Sequence, residues 1–375
     1  MVRIVAAFDS FKSSLTSREA GEAFRRGVME ALPTAEVRVV AIADGGEGMA
    51  EAVHDNVGGR MVSATVHDPI GRAIEASYLI IDGDTDGDTT AVIAMSAASG
   101  LGLIEPQERN PLVASTFGTG ELILDAARRG CKHIVVGLGG SATNDGGAGM
   151  LRALGYRFYD ADNGLLTTTI DILERIARIS TEARSALLDG IRLTAAVDVD
   201  NPLYGPQGAA YIFARQKGAD DATIERLDCA LRHYAEVIDT EGAAQAGAGA
   251  AGGVGYAFSS VLQAELRSGI DMVLGLCDFD SIVRDADIVA TGEGALDGQT
   301  LHGKAPMGVL RAASAHGVAV IALAGRVSDR EALLAAGFSH VAAITPPDQP
   351  LSEAIKRERA TENMISAARN TFTTR

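Results

Sequence analysis

Residues 132–155, KHIVVGLGGSATNDGGAGMLRALG, decide the predicted fold. The stretch begins with a buried-strand pattern, His133 to Val136, and ends with a helical pattern that stops at Gly155, a glycine position that commonly follows a helix. Glycines between them let backbone N–H groups converge on a ligand, and a helix N-terminus attracts anions. The stretch therefore predicts a strand–loop–helix unit that binds a phosphate-bearing ligand. The residues expected to contact that ligand are Gly139, Gly140, Ser141, Thr143, Asn144, Asp145 and Gly146.

Two classes of ligand fit this loop. Gly137-x-Gly139-x-x-Ala142 matches the dinucleotide fingerprint with alanine in the last position. That fingerprint also needs an acidic residue about 20 residues later. Asp160 and Asp162 are the candidates, but neither clearly ends a second strand. The run Gly-Leu-Gly-Gly-Ser-Ala also resembles the phosphate loop of small-metabolite kinases of the galactokinase-like superfamily, so the loop alone leaves both classes open.

Length and charge narrow the class of protein. A chain of 375 residues with 47% hydrophobic content is long enough for two domains, each with its own core. The net charge of −16 argues against nucleic acid or an anionic membrane as a partner. An anionic substrate must therefore meet a pocket that is locally basic or rich in N–H groups.

Cysteine usage and hydropathy predict a cytoplasmic globular protein. The three cysteines form no CxxC pair, which suits a reducing compartment. The N-terminus shows no signal-peptide pattern, and no apolar stretch reaches transmembrane length. The oligomeric state stays open, with a homodimer among the options.

The order of predicted elements indicates an interrupted parallel sheet. A strand from Val2 to Phe8, a helix capped by Thr16 and a strand from Val37 to Ile42 form a βαβ unit. Residues 60–95 then read as three strands without a helix between them, which indicates an inserted second domain. The glycine- and alanine-rich run 242–255 predicts a flexible linker near the return to the first domain.

Acidic residues follow several of the predicted strands. Ligands bind beyond the carboxyl ends of strands in open α/β sheets, although acids also serve there as helix caps. No zinc motif or nucleophile elbow accompanies these acids. Carboxylates, glycine loops and lysines are what phosphoryl transfer requires, so the residues favour a small-molecule kinase over a nucleotide-dependent oxidoreductase. The candidates are Asp9 with Lys12, Asp44 with Glu47, Asp198, and Glu293 with Asp297 and Lys304.

Eight segments in order resemble the bacterial glycerate kinase family, the single-chain type of glycerate, glucarate and glyoxylate breakdown. Three departures bear on the site: Ala295 replaces an arginine often seen there, Arg215 replaces a proline, and Leu165–Ile170 is threonine-rich instead of glycine-rich. The segments are DSFK at 9–12, ADGGEG at 43–48, GTGELI at 118–123, the run 139–149, QKGA at 216–219, the run 247–253, TGEG at 291–294 and HGK at 302–304.

The resemblance implies ATP-dependent phosphorylation of D-glycerate with magnesium, most often to 2-phosphoglycerate. The alternative is an NAD(P)-dependent oxidoreductase acting on a small hydroxy acid. The implied fold is α/β with two domains: a Rossmann-like parallel-sheet domain (1–65 plus 272–375), interrupted by a second α/β domain with a mixed sheet (66–271) that carries the 139–149 loop. The active site is expected in the cleft between them.

Individual roles are hypotheses at this stage. The 139–146 loop, Gly292 and Lys304 would hold the phosphates of ATP. Glu293 and Asp297 would bind magnesium. Asp44, Glu47, Glu293 and Asp198 compete for the general-base role and for the metal, and burial or a neighbouring acid should raise the pKa of the base. The residues expected to bind glycerate are Asp9, Lys12 and Lys217.

Overall fold

A computed structural model describes residues 1–11, 14–83, 89–298 and 300–373, and for His302 the backbone alone. The strands are β1 (Arg3–Phe8), β2 (Glu36–Val39), β3 (Arg60–His67), β4 (Ala73–Asp82), β5 (Thr89–Ala94), β6 (His133–Gly137), β7 (Arg157–Tyr159), β8 (Leu165–Leu166), β9 (Arg178–Ser180), β10 (Arg192–Ala196), β11 (Glu265–Arg267), β12 (Ile288–Gly292), β13 (Ala295–Leu296), β14 (Ala319–Ala324), β15 (Arg326–Val327) and β16 (His340–Ala343).

The α-helices connect and cover these strands. They are α1 (Ser17–Ala31), α2 (Met49–Val57), α3 (Ser96–Ser99), α4 (Phe117–Arg128), α5 (Ala148–Ala153), α6 (Thr169–Arg175), α7 (Ala209–Phe213), α8 (Asp221–Ile238), α9 (Ala250–Tyr256), α10 (Gly269–Leu276), α11 (Phe279–Arg284), α12 (Ala305–Ser314), α13 (Arg330–Ala335), α14 (Leu351–Ala354) and α15 (Arg357–Thr373).

One sheet is entirely parallel. Its strand order is β16-β14-β12-β1-β2, with Phe8 opposite Gly292 in the β1–β12 register. The predicted capping box starts α1: the Thr16 side chain accepts from Glu19 N, and the Glu19 carboxylate accepts from Thr16 N. Phe8, Phe24 and Phe372 form part of the core under this sheet. The carboxyl ends of its strands carry Asp9 and Glu293, as parallel pairing requires.

The other large sheet is mixed. Its order is β11-β10-β6-β5-β4-β3, with β5, β6, β10 and β11 parallel and the β3–β4–β5 meander antiparallel. The three strands predicted between residues 60 and 95 are this meander. The predicted α/β class, with one parallel and one mixed sheet, is confirmed.

The chain divides into two compact units. One comprises Met1–Asp44, Glu51–Gly58 and Ile270–Arg375, and the other comprises Gly45–Ala50 and Gly59–Gly269. The parallel sheet belongs to the first unit and the mixed sheet to the second. No helix in the described ranges is long and apolar enough to cross a bilayer.

The prediction of a flexible linker at 242–255 is wrong. The segment includes most of α9 and lies largely buried, and Ala248 and Val254 are fully shielded from solvent. Ala251, Gly252 and Gly253 take left-handed backbone angles with φ of 54°, 72° and 96°. A Cβ added to Gly252 would lie 2.2 Å from the Thr143 carbonyl oxygen. The small residues therefore allow close backbone packing against the 139–147 loop, instead of providing flexibility.

Candidate functional site

The 137–147 loop links the end of β6 to the start of α5, as predicted. Gly155 follows α5 with φ of 99°, which confirms the predicted helix end. The loop packs closely on the neighbouring 45–47 turn, because a Cβ on Gly139 would lie 2.4 Å from Gly46 Cα. Two glycine-rich turns that are far apart in sequence thus lie against each other.

Asp145 fixes the second half of the loop from inside the protein. Its side chain is fully buried and accepts hydrogen bonds from Thr116 N and Thr116 Oγ1 at 2.8 Å each, from Gly147 N at 3.0 Å and from Gly149 N at 3.1 Å. Burial raises the pKa of this carboxyl, and the four donors oppose that shift. Asp145 therefore supports the loop from within the protein.

Lys217 supports the first half of the loop in a similar way. Only 2% of the residue is exposed, and its Nζ donates to Ser141 Oγ at 2.8 Å and to the Thr143 carbonyl oxygen at 2.6 Å. Burial lowers the pKa of this lysine to about 7, while Asp145 acts in the opposite direction. The predicted contact of Lys217 with glycerate is not tested by these contacts, which show its ammonium turned towards the loop.

Polar atoms without partners lie beside these two supports. Thr143 and Asn144 are fully buried, and Thr143 Oγ1, Asn144 Oδ1 and Asn144 Nδ2 make no hydrogen bond to any residue that the structure describes. Buried polar atoms are normally satisfied, so an unpaired amide in a glycine loop indicates a functional constraint.

The 45–47 turn and Asp198 lie together at the carboxyl end of the mixed sheet. A Cβ on Gly45 would lie 3.2 Å from Asp198 Oδ2. The other carboxylate oxygen of Asp198 accepts from Gly269 N at 2.9 Å. Asp198 is half-buried and Glu47 is exposed. The structure thus brings Asp198 to the turn that carries Glu47.

A second cluster follows β12. Thr300 Oγ1 donates to Glu293 Oε1 at 3.1 Å, and Lys304 Nζ lies 3.8 Å from Glu293 Oε2. Burial raises the pKa of Glu293; Lys304 and Thr300 lower it, and the nearby charges of Asp44 and Asp297 raise it further. The effects of Lys304, Asp44 and Asp297 on the pKa of Glu293 show that these residues lie near one another. Lys304 also occupies the N-cap position of α12.

Asp9 and Gly292 have structural contacts in addition to any role in binding. Asp9 is 8% exposed, and its backbone N–H donates to the Gly292 carbonyl at 2.9 Å. A Cβ on Gly292 would lie 1.7 Å from the Leu323 carbonyl oxygen, so strand packing alone requires glycine there. Lys12, the other predicted glycerate ligand, lies outside the described residues.

No group of three or more His, Cys, Asp or Glu side chains in the described part of the chain is arranged to hold a metal. Magnesium commonly takes only one or two carboxylates and completes its shell with substrate phosphates and water. Glu293 and Asp297 supply oxygen donors of that kind beside Lys304, so they fit a magnesium ion that arrives with a nucleotide.

Sequence reasoning missed Thr116 and Thr300. Thr116 is fully buried, donates to Asp145 and accepts from Met150 N at 2.8 Å. Its only signal is its place in the hydroxyl- and glycine-rich run 115–120. Thr300 binds Glu293 from a short 3₁₀ turn, Thr300–His302, for which the sequence gives no pattern.

Asp160, a candidate for the acidic residue of the dinucleotide fingerprint, has a local structural role. Asp160 accepts from Asp162 N at 3.1 Å and Gly164 N at 2.7 Å, and it pairs with Arg175 at 2.8 Å. These contacts close the turn between β7 and β8. They give no support to a ribose-binding role for Asp160.

Comparison with known proteins assigns the class. A profile described as "Glycerate kinase family" matches residues 4–375. "Glycerate kinase" of Bacillus subtilis (strain 168) is 43% identical over 98% of this chain and 96% of its own length. "Glycerate 2-kinase" of Escherichia coli (strain K12) is 40% identical over 98% and 97%. The crystal structure of a candidate glycerate kinase 2 from Salmonella typhimurium LT2 superposes with a TM-score of 0.84 at 40% identity, covering 100% of this chain and 98% of that one.

The agreement of fold and sequence over the full length defines an enzyme of the kinase class. The chain belongs to the glycerate kinase family. The resemblance carried by the eight sequence segments is thereby confirmed.

Proposed function

We propose that this enzyme transfers the γ-phosphate of ATP to a hydroxyl of D-glycerate and forms 2-phosphoglycerate. The observation that carries the proposal is the full-length match to proteins named glycerate kinase, at 43% identity for the Bacillus subtilis relative. The name glycerate 2-kinase of the Escherichia coli relative supports the 2-position. The family favours this reaction over the NAD(P)-dependent oxidation of a hydroxy acid.

The phosphates of ATP are bound by two elements in this proposal. Backbone N–H groups and the Ser141 hydroxyl of the 139–146 loop donate to phosphate oxygens. Lys304 supplies a positive charge at the N-cap of α12, where the helix dipole also favours anions. Gly292 contributes to this phosphate site by allowing the end of β12 to pack closely against Leu323.

Magnesium would be held by Glu293 and Asp297. When bound, it would neutralise charge on the phosphate oxygens that bridge the reacting groups. Lys304 then contacts phosphate instead of Glu293, which is consistent with its long 3.8 Å separation from that carboxylate.

Asp44 is our first choice for the general base, with Glu47 and Asp198 as the other candidates. The base must take the proton of the attacking glycerate hydroxyl. Asp44 is close enough to Glu293 for its charge to raise the pKa of that residue. Asp9 and Lys12 are the proposed contacts for glycerate, since a lysine can pair with its carboxylate.

An ADP-release assay with a panel of acceptors tests the proposal. The purified enzyme is given ATP, magnesium and, in separate reactions, D-glycerate, L-glycerate, glycolate or lactate. We expect ADP with D-glycerate and at least tenfold less with the others. ADP from another acceptor only would reject glycerate as substrate. No ADP from any acceptor, together with nicotinamide reduction in a parallel assay, would reject the kinase.

A further inference from the structure

Lys217 is held in place by its own segment of chain. It ends a 3₁₀ turn, Arg215–Lys217, and Gly218 follows with a left-handed φ of 98°. A Cβ on Gly218 would lie 2.4 Å from the Arg109 carbonyl oxygen, so the turn is packed closely against its neighbour. The side chain therefore leaves a well-fixed backbone and runs into the protein.

The chemistry of the Lys217–Ser141 contact fixes the direction of one hydrogen atom. An ammonium group has three donors and no acceptor. When Lys217 is protonated, Ser141 Oγ at 2.8 Å from its Nζ must therefore accept, and the single hydrogen of Ser141 is left to be donated elsewhere. The loop backbone beside it is also fixed, because Ala142 N donates to the Ser99 carbonyl at 2.9 Å. Ser141 is 8% exposed, four times the exposure of Lys217.

We propose that Lys217 is a positioning residue that acts through Ser141, orienting the Ser141 hydroxyl to donate to an anionic oxygen of a bound substrate. The inference rests on the proposed function, and it replaces the role of Lys217 as a direct ligand of glycerate. The anionic oxygen belongs either to a phosphate of ATP or to the carboxylate of glycerate. In both cases the acceptor is charged, and it forms a strong hydrogen bond with a donor that is already oriented.

Direct binding of substrate by Lys217 fits the geometry less well. The side chain is almost fully buried, and Nζ already makes two hydrogen bonds to the loop, at 2.8 Å and 2.6 Å. A substrate would have to reach the one remaining N–H of a side chain that is only 2% exposed. Acting through Ser141, which is 8% exposed, does not require this.

A double-mutant cycle tests the proposal. The variants are Lys217→Met, Lys217→Gln, Ser141→Ala and Ser141→Ala with Lys217→Met, and the readouts are kcat and the KM values for ATP and D-glycerate. Met and Gln reach equally far, but only Gln retains a donor. Ser99→Ala is the control, because it removes a nearby buried hydroxyl that binds Thr119 Oγ1 and not Lys217.

We expect Ser141→Ala and Lys217→Met each to raise one KM about tenfold, with kcat changed less than threefold, since a lost bond to a charged group has that size. The double variant should be no worse than either single variant, because both remove the same oriented hydrogen. Lys217→Gln should recover at least half of the loss on a logarithmic scale. A higher KM for ATP assigns the oxygen to phosphate, and a higher KM for glycerate assigns it to the carboxylate.

Losses that multiply in the double variant would overturn the proposal, as would unchanged KM values in Ser141→Ala. If Lys217→Met does not fold, the same cycle is run with Lys217→Gln, and the double variant must again be no worse than Ser141→Ala alone. If the wild-type enzyme releases no ADP from D-glycerate, the proposed function fails. Calorimetric titrations of the same variants with ATP and, separately, with D-glycerate then decide whether Ser141 and Lys217 are coupled, and absence of coupling for both ligands rejects the inference.

Discussion

The 137–147 loop and the cluster around Glu293 contrast in how their polar groups are held. At the loop, Asp145 from within it and Lys217 from a separate turn are buried and make short hydrogen bonds to the chain around them. In the cluster, Glu293 and Lys304 are partly exposed, with side-chain exposures of 15% and 34%, and lie 3.8 Å apart. The same residue types, a carboxylate and a lysine, are thus used in two different ways.

This difference suggests separate functions: the buried charges stabilise the loop, and the more exposed cluster around Glu293 takes part in the reaction. In our proposal, the loop presents its backbone donors in one fixed shape before any ligand arrives, and internal charges hold that shape. In the same proposal, the cluster exchanges its weak internal contacts for contacts with phosphate, metal and acceptor. We therefore expect variants of the loop supports to change folding stability, and variants of the cluster to change turnover alone.

The largest expected effect is on turnover, in the cluster. Asp44→Asn should reduce kcat about 10²–10⁴-fold, because the amide cannot accept the proton of the glycerate hydroxyl. The free energy of unfolding should change by less than about 1 kcal/mol. ADP release and urea denaturation measure the two quantities. Asp285→Asn is the control, since that carboxylate is 79% exposed and lies 3.9 Å from Arg3. Normal turnover in a folded Asp44→Asn enzyme would exclude Asp44 as the base.

A loop support should show the opposite pattern. Asp145→Ala leaves Thr116, Gly147 and Gly149 with buried donors that lack an acceptor, which should lower the free energy of unfolding by about 3–5 kcal/mol. Urea denaturation measures the loss, with Asp162→Ala at an exposed turn as the control. A loss below about 1 kcal/mol would mean that Asp145 does not support the loop.

The buried lysine predicts a pH dependence of stability. Burial lowers the pKa of Lys217 from 10.5 to about 7. Below the lower value, both the folded and the unfolded chain carry the proton, so the full cost of burying the charge is present. Between the two values only the unfolded chain retains the proton, so stability should rise with pH by about 1.4 kcal/mol per unit. Above the upper value the gain is complete.

Denaturation curves of the wild-type protein and Lys217→Met isolate this contribution, because the other titrating groups are common to both. The wild-type protein should gain about 2–3 kcal/mol relative to the variant between pH 7 and pH 9. A difference that does not change with pH would show that the buried lysine keeps an ordinary pKa.

The smallest expected effect lies in the turn that packs on the loop. Ala251 has a left-handed φ of 54°, which is unfavourable for alanine, so Ala251→Gly should raise the free energy of unfolding by about 0.5–1 kcal/mol. Gly252→Ala is the matched change in the opposite direction. Its new Cβ would meet the Thr143 carbonyl oxygen, so we expect a loss of about 2 kcal/mol or more. Urea denaturation of both variants checks the pair, and a destabilised Ala251→Gly protein would contradict the assignment of strain.

Local patterns predicted much of this architecture. The strand and helix around the 137–147 loop, and the acids after β1, β10 and β12, follow from hydrophobic runs and turn residues that are adjacent in sequence. The contact between Lys217 and Ser141 joins residues 76 positions apart, and the Asp145–Thr116 pair spans 29. No local pattern encodes such pairs, so the contact of Lys217 with Ser141 cannot be predicted from the sequence.

The 242–255 run shows a second limit of composition. Glycine and alanine are common in flexible linkers, but they also occur where two backbones must approach closely. Whether such a run is a flexible linker or a close-packed segment depends on the chain that lies beside it. Here Gly252 packs against the loop at Thr143 and Asn144. Sequence composition contains no information about that neighbour.

The most direct test of the proposed reaction is a phosphorus NMR time course of the purified enzyme with D-glycerate, ATP and magnesium. We predict that the γ-phosphate signal of ATP declines while ADP and the phosphomonoester signal of 2-phosphoglycerate grow in equal amounts. A signal of 3-phosphoglycerate instead would retain the kinase and reassign the hydroxyl that faces the base. Unchanged ATP in the presence of folded enzyme would contradict the account.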